Sequence, residues 1–283
     1  MQQESGSPAH HQQRSEFIRK LLQRSSSEYS ISERYVHRAP RTIVQFWHDL
    51  RHLPLDIAKC IASWTRWEAS GFTHRIFDEH TAKAFIRRSL GTRYEQAFER
   101  CYHPAMQSDY FRLCYLLVEG GGYFDADDVC VGADIAWLFE DSRLKLQPLC
   151  YDIASATMVN PSVFLAFEAY DPNWIFYFNN NPLVASPSHP IIERALSRAT
   201  NLLELAAEGV LPEIQETTGP GNLSKSIFDF GSTLGSSVEN DLLVLRDWDS
   251  TAVSRWPLSY RDDARNWRFS NQRRFDPSQV STE

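Results

Sequence analysis

The chain has 283 residues, of which 42% are hydrophobic and 13% are aromatic, and it carries a formal net charge of −7. This apolar content is enough for a packed core and excludes a mainly disordered chain. The acidic balance predicts no nucleic-acid partner, because proteins that bind the phosphate backbone concentrate Lys and Arg on one surface.

The sequence predicts neither a secretory signal nor a metal-binding cysteine motif. The five cysteines are widely spaced and form no Cys-x-x-Cys pair, which argues against a zinc knuckle or a thioredoxin-like site. The first residues are polar, with no apolar segment typical of a secretory signal. No run of about 20 apolar residues is present, so we expect no transmembrane segment and a cytoplasmic protein.

The chain is predicted to form one domain with two tails. Residues 1–40 are polar and predict a flexible N-terminal tail with at most one amphipathic helix, which we expect to dock on the domain. The apolar stripe of that helix consists of Phe17, Ile18, Leu21 and Leu22. The domain covers residues 41–270, and a C-terminal tail follows at 271–283.

Strands and helices alternate from residue 41 onward. We predict a strand at 42–47, a helix from Pro54 to Trp64, a strand at 72–78 and a helix at 79–90 that Gly91 ends. Such an order is typical of a parallel α/β sheet.

The second half of the domain continues this pattern. Its predicted elements are helices at 92–102 and 105–119, a short strand that follows the glycines at 120–122 and runs into Asp125, strands within 151–185 and a helix at 189–208.

Two aspartates after a triple glycine form the most informative motif. Gly120, Gly121 and Gly122 allow backbone conformations that side chains forbid, and they lead into a short strand ending at Asp125 and Asp127. Residues i and i+2 of a strand face the same side, so both carboxylates can converge on one cation. Carboxylate oxygens suit Mn or Mg, and such an ion can bridge the phosphates of a diphosphate.

A helix just before the glycines carries a second pair of charged residues. Asp109 and Arg112 lie one helical turn apart and therefore on one face. This pair is suited to hydrogen-bonding sugar hydroxyls and phosphate, and it is equally consistent with a solvated ion pair that contributes little.

The whole run SDYFRLCYLLVEGGGYFDADD, residues 108–128, resembles the sugar-binding region of glycosyltransferase family 32, whose relatives include the large clostridial glucosylating toxins. Residues 43–47, 181–187 and 218–221 are also similar to segments of that family, so the resemblance covers roughly 41–270. It implies a single-domain GT-A fold, an α/β architecture with a mainly parallel sheet flanked by helices.

The resemblance also implies a metal-dependent, retaining transfer of a hexose. The donor would be a UDP- or GDP-hexose, the cofactor Mn or Mg, and the acceptor a saccharide, a lipid-linked sugar or a protein, with polysaccharide synthesis as the expected role. The catalytic pair would be Asp125 and Asp127, and Asp127 would bind the metal. The donor-binding residues would be Gln45, Trp47, Asp109, Arg112, Asp125 and Asn181.

One departure from the family concerns the last metal ligand. Many members carry a His-Trp element near the C-terminus, where this chain has Asn266 and Trp267. Asn266 would then be a metal ligand through its carbonyl oxygen. Nearby arginines, at 261, 265 and 268, would either neutralise phosphates or face solvent.

Other functions fit parts of the same pattern. Residues 125–129 also match the Asp-x-Asp-x-Val pattern of haloacid-dehalogenase-type phosphatases, with Asp262 and Asp263 as the distal acidic pair. A catalytically weakened nucleotide-sugar-binding protein and a toxin-like effector that glycosylates a host protein are further alternatives.

Overall fold

The computed structural model describes residues 8–23, 38–234, 238–255 and 257–280. These residues form a seven-stranded sheet flanked by helices, together with a two-stranded sheet. The strands are β1 (Thr42–Phe46), β2 (Thr73–Phe77), β3 (Gly121–Tyr123), β4 (Asp128–Cys130), β5 (Leu144–Asp152), β6 (Thr157–Met158), β7 (Trp174–Ala185), β8 (Leu242–Val244) and β9 (Ala252–Ser254). The α-helices are α1 (Pro8–Gln23), α2 (Leu55–Ala62), α3 (Glu79–Leu90), α4 (Thr92–Glu99), α5 (Pro104–Val118), α6 (Pro161–Phe164), α7 (Pro190–Leu205), α8 (Ile214–Thr217), α9 (Pro220–Leu234) and α10 (Trp267–Ser270).

The large sheet is mostly parallel. Its order is β2-β1-β3-β7-β5, and both β6 and β8 pair with β5. Strand β1 is parallel to β2 and β3, and β8 is parallel to β5, whereas β7 is antiparallel to both β3 and β5. Five strands (β2, β1, β3, β5 and β8) therefore run in one direction, and β6 runs with β7 in the other. The predicted α/β architecture is confirmed.

The first four predicted elements are confirmed with small shifts at their ends. Helix α3 covers the predicted range because its capping signals are strong: the Asp78 carboxylate accepts a hydrogen bond from the Thr81 amide at 2.8 Å, and Gly91 ends the helix at a φ of +91°. The predicted strand region 151–185 is less regular. Strand β5 begins earlier, at Leu144, and helix α6 interrupts the region before β7.

Helix α5 is the most deeply buried helix near the sheet centre. Its aromatic residues Tyr110 and Phe111 are fully buried, and each contributes about 2 to 3 kcal/mol through the hydrophobic effect. Pro104 opens the helix, and the His103 ring accepts a hydrogen bond from the Ala105 amide at 3.1 Å. Because α5 is packed in this way, it holds its charged residues Asp109 and Arg112 in fixed positions.

A glycine turn connects α5 to β3 in very little space. Gly120 and Gly121 have φ values of +68° and +105°. A Cβ atom on Gly120 would lie 2.6 Å from Cδ of Pro187, and one on Gly121 would lie 2.9 Å from the carbonyl oxygen of Thr42. The glycines therefore let β3 fit between β1 and β7.

Helix α1 packs against β7 and α9, as its apolar stripe predicted. Ile18 and Leu22 are fully buried, and the ring centroid of Phe17 lies 5.3 Å from that of Phe228. Residues 1–7 and 24–37 of the predicted tail lie outside the described residues. The predicted boundaries at residues 40 and 270 stay predictions.

The segment after residue 270 also contacts the domain. The Phe275 amide donates a hydrogen bond to the carbonyl oxygen of Tyr102 at 3.1 Å, and the Phe275 ring packs edge-on against the ring of His48. Within the described ranges, no helix combines the length and the apolar character that crossing a bilayer requires.

Candidate active site around Asp125 and Asp127

Asp125 and Asp127 lie in the connection between β3 and β4, beyond the carboxyl end of β3. The amide of Phe124 donates to the carbonyl oxygen of Val44 on β1 at 3.0 Å, which extends the parallel pairing of the two strands up to Asp125. In open α/β sheets, ligands bind at the carboxyl ends of the parallel strands. The two aspartates lie at this edge.

Arg112 of α5 contacts residues from α5 itself, from the aspartate loop after β3 and from β7. Its Nη2 atom lies 2.9 Å from Oδ1 of Asp125 and 3.0 Å from Oδ1 of Asp109. Its Nη1 atom donates to the carbonyl oxygen of Asn180 at 2.5 Å, and the guanidinium lies 4.4 Å from the ring centroid of Tyr123. Only 4% of the Arg112 side chain is exposed, and its contacts in the structure are with these neighbouring residues.

The charge state of Arg112 follows from these contacts. Burial by itself would lower the pKa of Arg112, but the negative charges of Asp125 and Asp109, with the Tyr123 phenol, raise this pKa above its usual range. The guanidinium therefore remains positively charged at any physiological pH. Its fork geometry lets it serve both carboxylates at once.

Strand β7 contributes two neighbouring asparagines, Asn180 and Asn181, to the site. Asn180 Nδ2 donates to Oδ1 of Asp109 at 2.7 Å. Asn181 Oδ1 accepts a hydrogen bond from the Asp125 amide at 2.9 Å, and its Nδ2 atom donates to Oδ2 of Asp128 at 2.7 Å. The predicted residue Asn181 thus holds the aspartate loop from both sides. Sequence reasoning missed Asn180, whose only signal was its place in a run of three asparagines.

Gln45 supports the same loop from β1. Its Nε2 atom donates to the carbonyl oxygen of Asp125 at 3.1 Å, and its Oε1 atom lies 2.8 Å from Nε2 of His74. Gln45 is fully buried, so it fixes the backbone of Asp125 from behind the site.

Trp47 lies just beyond β1 and packs behind the aspartate loop. Its ring centroid is 5.4 Å from that of Tyr260, and 8% of the residue is exposed. The buried Nε1 atom has no hydrogen-bond partner among the described residues. An unpaired buried N–H group costs about 1 to 3 kcal/mol.

Asp127 is contacted by a segment that comes from near the C-terminus. Its Oδ2 atom accepts hydrogen bonds from the Tyr260 hydroxyl at 2.7 Å and from Arg261 Nη2 at 2.5 Å. The Arg255 amide donates to the carbonyl oxygen of Asp127 at 3.2 Å. No sequence signal identified Tyr260, because it is separated from Asp127 by 133 positions.

Asn266, the predicted metal ligand, is 5% exposed and caps helix α10. Its Oδ1 atom accepts a hydrogen bond from the Arg268 amide at 3.1 Å, and its Nδ2 atom donates to the carbonyl oxygen of Arg261 at 2.7 Å. Asn266 thus supports the segment that reaches Asp127, and its role as a metal ligand stays a prediction. Unlike Arg261, the nearby Arg265 and Arg268 form no ion pair with Asp125 or Asp127 among the described residues. Arg265 pairs with Asp263, and Arg268 lies over the ring of Trp267.

The site holds more carboxylates than arginines. Its carboxylates belong to Asp109, Asp125, Asp127 and Asp128, and the arginines that pair with them are Arg112 and Arg261. Burial raises the pKa of Asp125 to about 6, and the neighbouring carboxylates of Asp127 and Asp109 add to this effect while Arg112 opposes it. Burial likewise raises the pKa of Asp128 well above its usual range and raises that of Asp109. Additional positive charge would stabilise this group of acids.

The arrangement fits a divalent cation. Oδ2 of Asp125 and Oδ1 of Asp127 accept no hydrogen bond from any residue that the structure describes. These hard oxygens are suitable ligands for Mn or Mg. Over the described part of the chain, no group of three or more His, Cys, Asp or Glu side chains forms a complete metal site. The remaining ligands would be water and the phosphates of a substrate, as is usual for Mg.

Comparisons with known proteins identify a family that matches part of this chain. Residues 54–143 match the family described as the glycosyltransferase sugar-binding region containing a DXD motif. The matched range includes Asp109, Arg112, Asp125 and Asp127, so the resemblance found in the sequence is confirmed for this region.

Three individual proteins that resemble this chain share a quarter or less of its residues in the aligned regions. The initiation-specific alpha-1,6-mannosyltransferase of Schizosaccharomyces pombe (strain 972 / ATCC 24843) is 24% identical in an alignment 194 residues long, which covers 62% of this chain and 45% of that protein. The chain therefore spans less than half the length of this relative. Two solved structures are also similar. One is titled PaToxG glycosyltransferase, with a TM-score of 0.47, 16% identity and coverage of 81% of this chain and 82% of the other. The second is the catalytic domain of alpha-toxin from Clostridium novyi, with a TM-score of 0.39, 9% identity and coverage of 83% and 77%.

Proposed function

We propose that this chain, whose residues 54–143 match a glycosyltransferase sugar-binding region containing a DXD motif, transfers a hexose from a nucleotide-diphosphate donor to an acceptor in a reaction that requires a divalent cation. The observation that carries the proposal is the ion pair between Arg112 and Asp125, because it holds the first aspartate of the motif at the sheet edge. Asp127 follows two residues later and has one oxygen that accepts no hydrogen bond from the described residues.

Asp125 and Asp127 would hold the cation through their remaining oxygens. When bound, the ion would stabilise the negative charge that develops on the departing nucleoside diphosphate. Asp109, Asn180 and Arg112 form the support that keeps Asp125 in one orientation, and such supporting contacts usually matter for metal affinity.

The donor would extend from the aspartates toward Trp47. The unpaired Nε1 atom of Trp47 would donate to the nucleotide, and the indole ring would pack against it. Carboxylate oxygens of Asp109 and Asp125 would accept hydrogen bonds from sugar hydroxyls. We propose retention of the anomeric configuration from the family resemblance, with no residue assigned as a nucleophile.

The named relative narrows the substrate class that we propose. Because this relative is a mannosyltransferase, we include a mannosyl donor among the hexose donors, with a growing saccharide as acceptor in polysaccharide synthesis. The fold that we propose for this reaction is of the GT-A type, in line with the mostly parallel sheet.

The test is hydrolysis of donor sugars in the presence of Mn²⁺. Purified protein is incubated with UDP-glucose, UDP-galactose, UDP-N-acetylglucosamine and GDP-mannose, and release of the nucleoside diphosphate is measured. We expect turnover of one donor, a loss of about 100-fold or more in the Asp127→Asn variant, and no change in Asp249→Asn, which alters an exposed aspartate outside the site. Phosphate release from simple phosphate esters without donor turnover would instead indicate a phosphatase. Donor binding without turnover would indicate a binding protein.

A further inference from the structure

The second aspartate of the motif is already neutralised by the chain itself. Arg261 Nη2 lies 2.5 Å from Oδ2 of Asp127 and 3.0 Å from the hydroxyl oxygen of Ser254. The side chains of Arg261 and Asp127 are only 11% and 14% exposed, so water screens this ion pair far less than it screens a surface pair. The carboxylate involved is the one that the proposed function assigns to the cation.

A guanidinium and a divalent cation compete for one carboxylate. Both are positively charged, and at neighbouring positions in a shielded site they repel each other strongly. Tyr260 can remain when a cation binds, because its hydroxyl is neutral and donates only a hydrogen bond to Asp127. Arg261 is therefore the group whose contact with Asp127 a bound cation weakens most.

The main chain around Arg261 is anchored, so a change of partner needs only its side chain to move. The carbonyl oxygen of Arg261 accepts a hydrogen bond from Asn266, and its amide donates to the carbonyl oxygen of Leu258 at 3.0 Å. On the preceding side, Ser259 donates to Asp56 through its amide at 2.7 Å and through its hydroxyl at 3.1 Å. These contacts keep the base of the arginine beside the aspartate loop whichever partner its guanidinium has.

We propose that Arg261 is an exchangeable counterion of Asp127. It neutralises this carboxylate when no divalent cation is bound, and when a cation takes its place the guanidinium turns to the diphosphate of the donor. This inference rests on the proposed function, because it assumes a cation at Asp127 and a diphosphate beside it. Asn266 holds the main chain of Arg261 in place through the hydrogen bond to its carbonyl oxygen.

The first test measures Mn²⁺ binding without nucleotide by electron paramagnetic resonance. A site that is occupied by an internal competitor has a reduced apparent affinity. We therefore expect Arg261→Met and Arg261→Gln to bind Mn²⁺ about tenfold more tightly than the unmodified protein. The control is Arg255→Met, which removes a neighbouring positive charge whose side chain makes no hydrogen bond with the described residues. This control should stay within about twofold. An unchanged or weaker affinity in both Arg261 variants, or an equal gain in the control, overturns the inference.

The second test measures UDP and GDP binding by calorimetry at saturating Mn²⁺, with uridine and guanosine as ligands that lack phosphates. We expect Arg261→Met to weaken binding of the matching diphosphate about tenfold and to leave nucleoside binding unchanged. Equal losses for the nucleoside and the diphosphate overturn the contact with phosphate. Donor hydrolysis by the unmodified protein together with unchanged Mn²⁺ affinity of the variants overturns the exchange and leaves the transferase proposal intact. If the variants bind Mn²⁺ more tightly but the unmodified protein hydrolyses no donor, the transferase proposal is overturned instead.

Discussion

The guanidinium of Arg112 and the carboxylate of Asp125 lie 2.9 Å apart, with the end of helix α5, the glycine turn and β3 between them in the chain. The contact exists because Gly120 and Gly121 reverse the chain tightly enough for β3 to return beside the buried helix. A charged residue on α5 therefore determines the orientation of the first aspartate of the motif.

Removal of this arginine should affect both stability and activity. In Arg112→Met the buried carboxylates of Asp125 and Asp109 lose their shared counterion, and we expect a loss of about 3 kcal/mol in the free energy of unfolding. Donor hydrolysis should fall by about 100-fold, because a misplaced aspartate binds the cation poorly. Urea denaturation and nucleotide release measure the two effects. Arg88→Met on the exposed face of α3 is the control and should change the free energy of unfolding by less than about 0.5 kcal/mol. Equal stability of both variants would contradict the role given to Arg112.

The glycine turn should not tolerate a side chain at Gly120. A Cβ atom there would lie 2.6 Å from Pro187, and the φ of +68° is itself unfavourable for alanine. We expect Gly120→Ala to lose more than about 3 kcal/mol in the free energy of unfolding. Gly209 has a φ of +79° with no atom within 4 Å of the added Cβ, so Gly209→Ala should lose only about 1 kcal/mol. Chemical denaturation of both variants separates steric clash from backbone strain, and similar losses would show that the close contact with Pro187 is unimportant.

Helix α1 should contribute to the stability of the whole domain. Ile18 is fully buried, so Ile18→Ala should cost about 3 kcal/mol through lost burial and a residual cavity. Lys20 on the same helix has 65% of its side chain exposed, and Lys20→Ala should stay within about 0.5 kcal/mol. Both variants are compared by thermal and urea unfolding. A cooperative transition at the unmodified midpoint for Ile18→Ala would contradict packing of α1 on the domain.

The ion pair at the start of β5 should make stability depend on pH. Asp141 accepts hydrogen bonds from Arg143 at 2.6 Å and from the fully buried Lys145 at 2.7 Å. Burial by itself would raise the pKa of Asp141, but these two donors hold it at about 2, below its usual value of 3.8. The unfolded chain therefore takes up the proton first as pH falls. The stabilisation is complete above about pH 5 and is lost progressively as the pH falls toward 2.

Asp141→Asn tests this dependence. At pH 7 the variant should be less stable by about 3 kcal/mol, because Lys145 loses its charged partner in a buried position. The difference from the unmodified protein should shrink when urea unfolding is repeated between pH 4 and pH 2.5. Asp249→Asn, at an exposed aspartate, should show no such convergence. A constant difference for Asp141→Asn across this range would show that its cost is unrelated to charge.

Much of the fold follows from local signals in the sequence. Asp78 and Gly91 mark both ends of α3, and Pro190 marks the start of α7, because capping and ring geometry act within one helical turn. The region 151–185 was less predictable. Its strands are interrupted by α6, and β7 is antiparallel to its neighbours, which depends on pairing partners far along the chain.

The sequence by itself determined the alternation of strands and helices, the position of the two aspartates after the glycines, and the proximity of Asp109 to Arg112, since all of these depend on spacings of a few residues. Only the tertiary structure decided that Asn180 and Asn181 hold the aspartate loop, that Trp47 keeps an unpaired N–H group, and that Arg261 neutralises Asp127. The physical reason is distance along the chain: Arg261 and Asp127 are separated by 134 positions, and such a contact forms only when the packed sheet brings its strand ends and the C-terminal segment together.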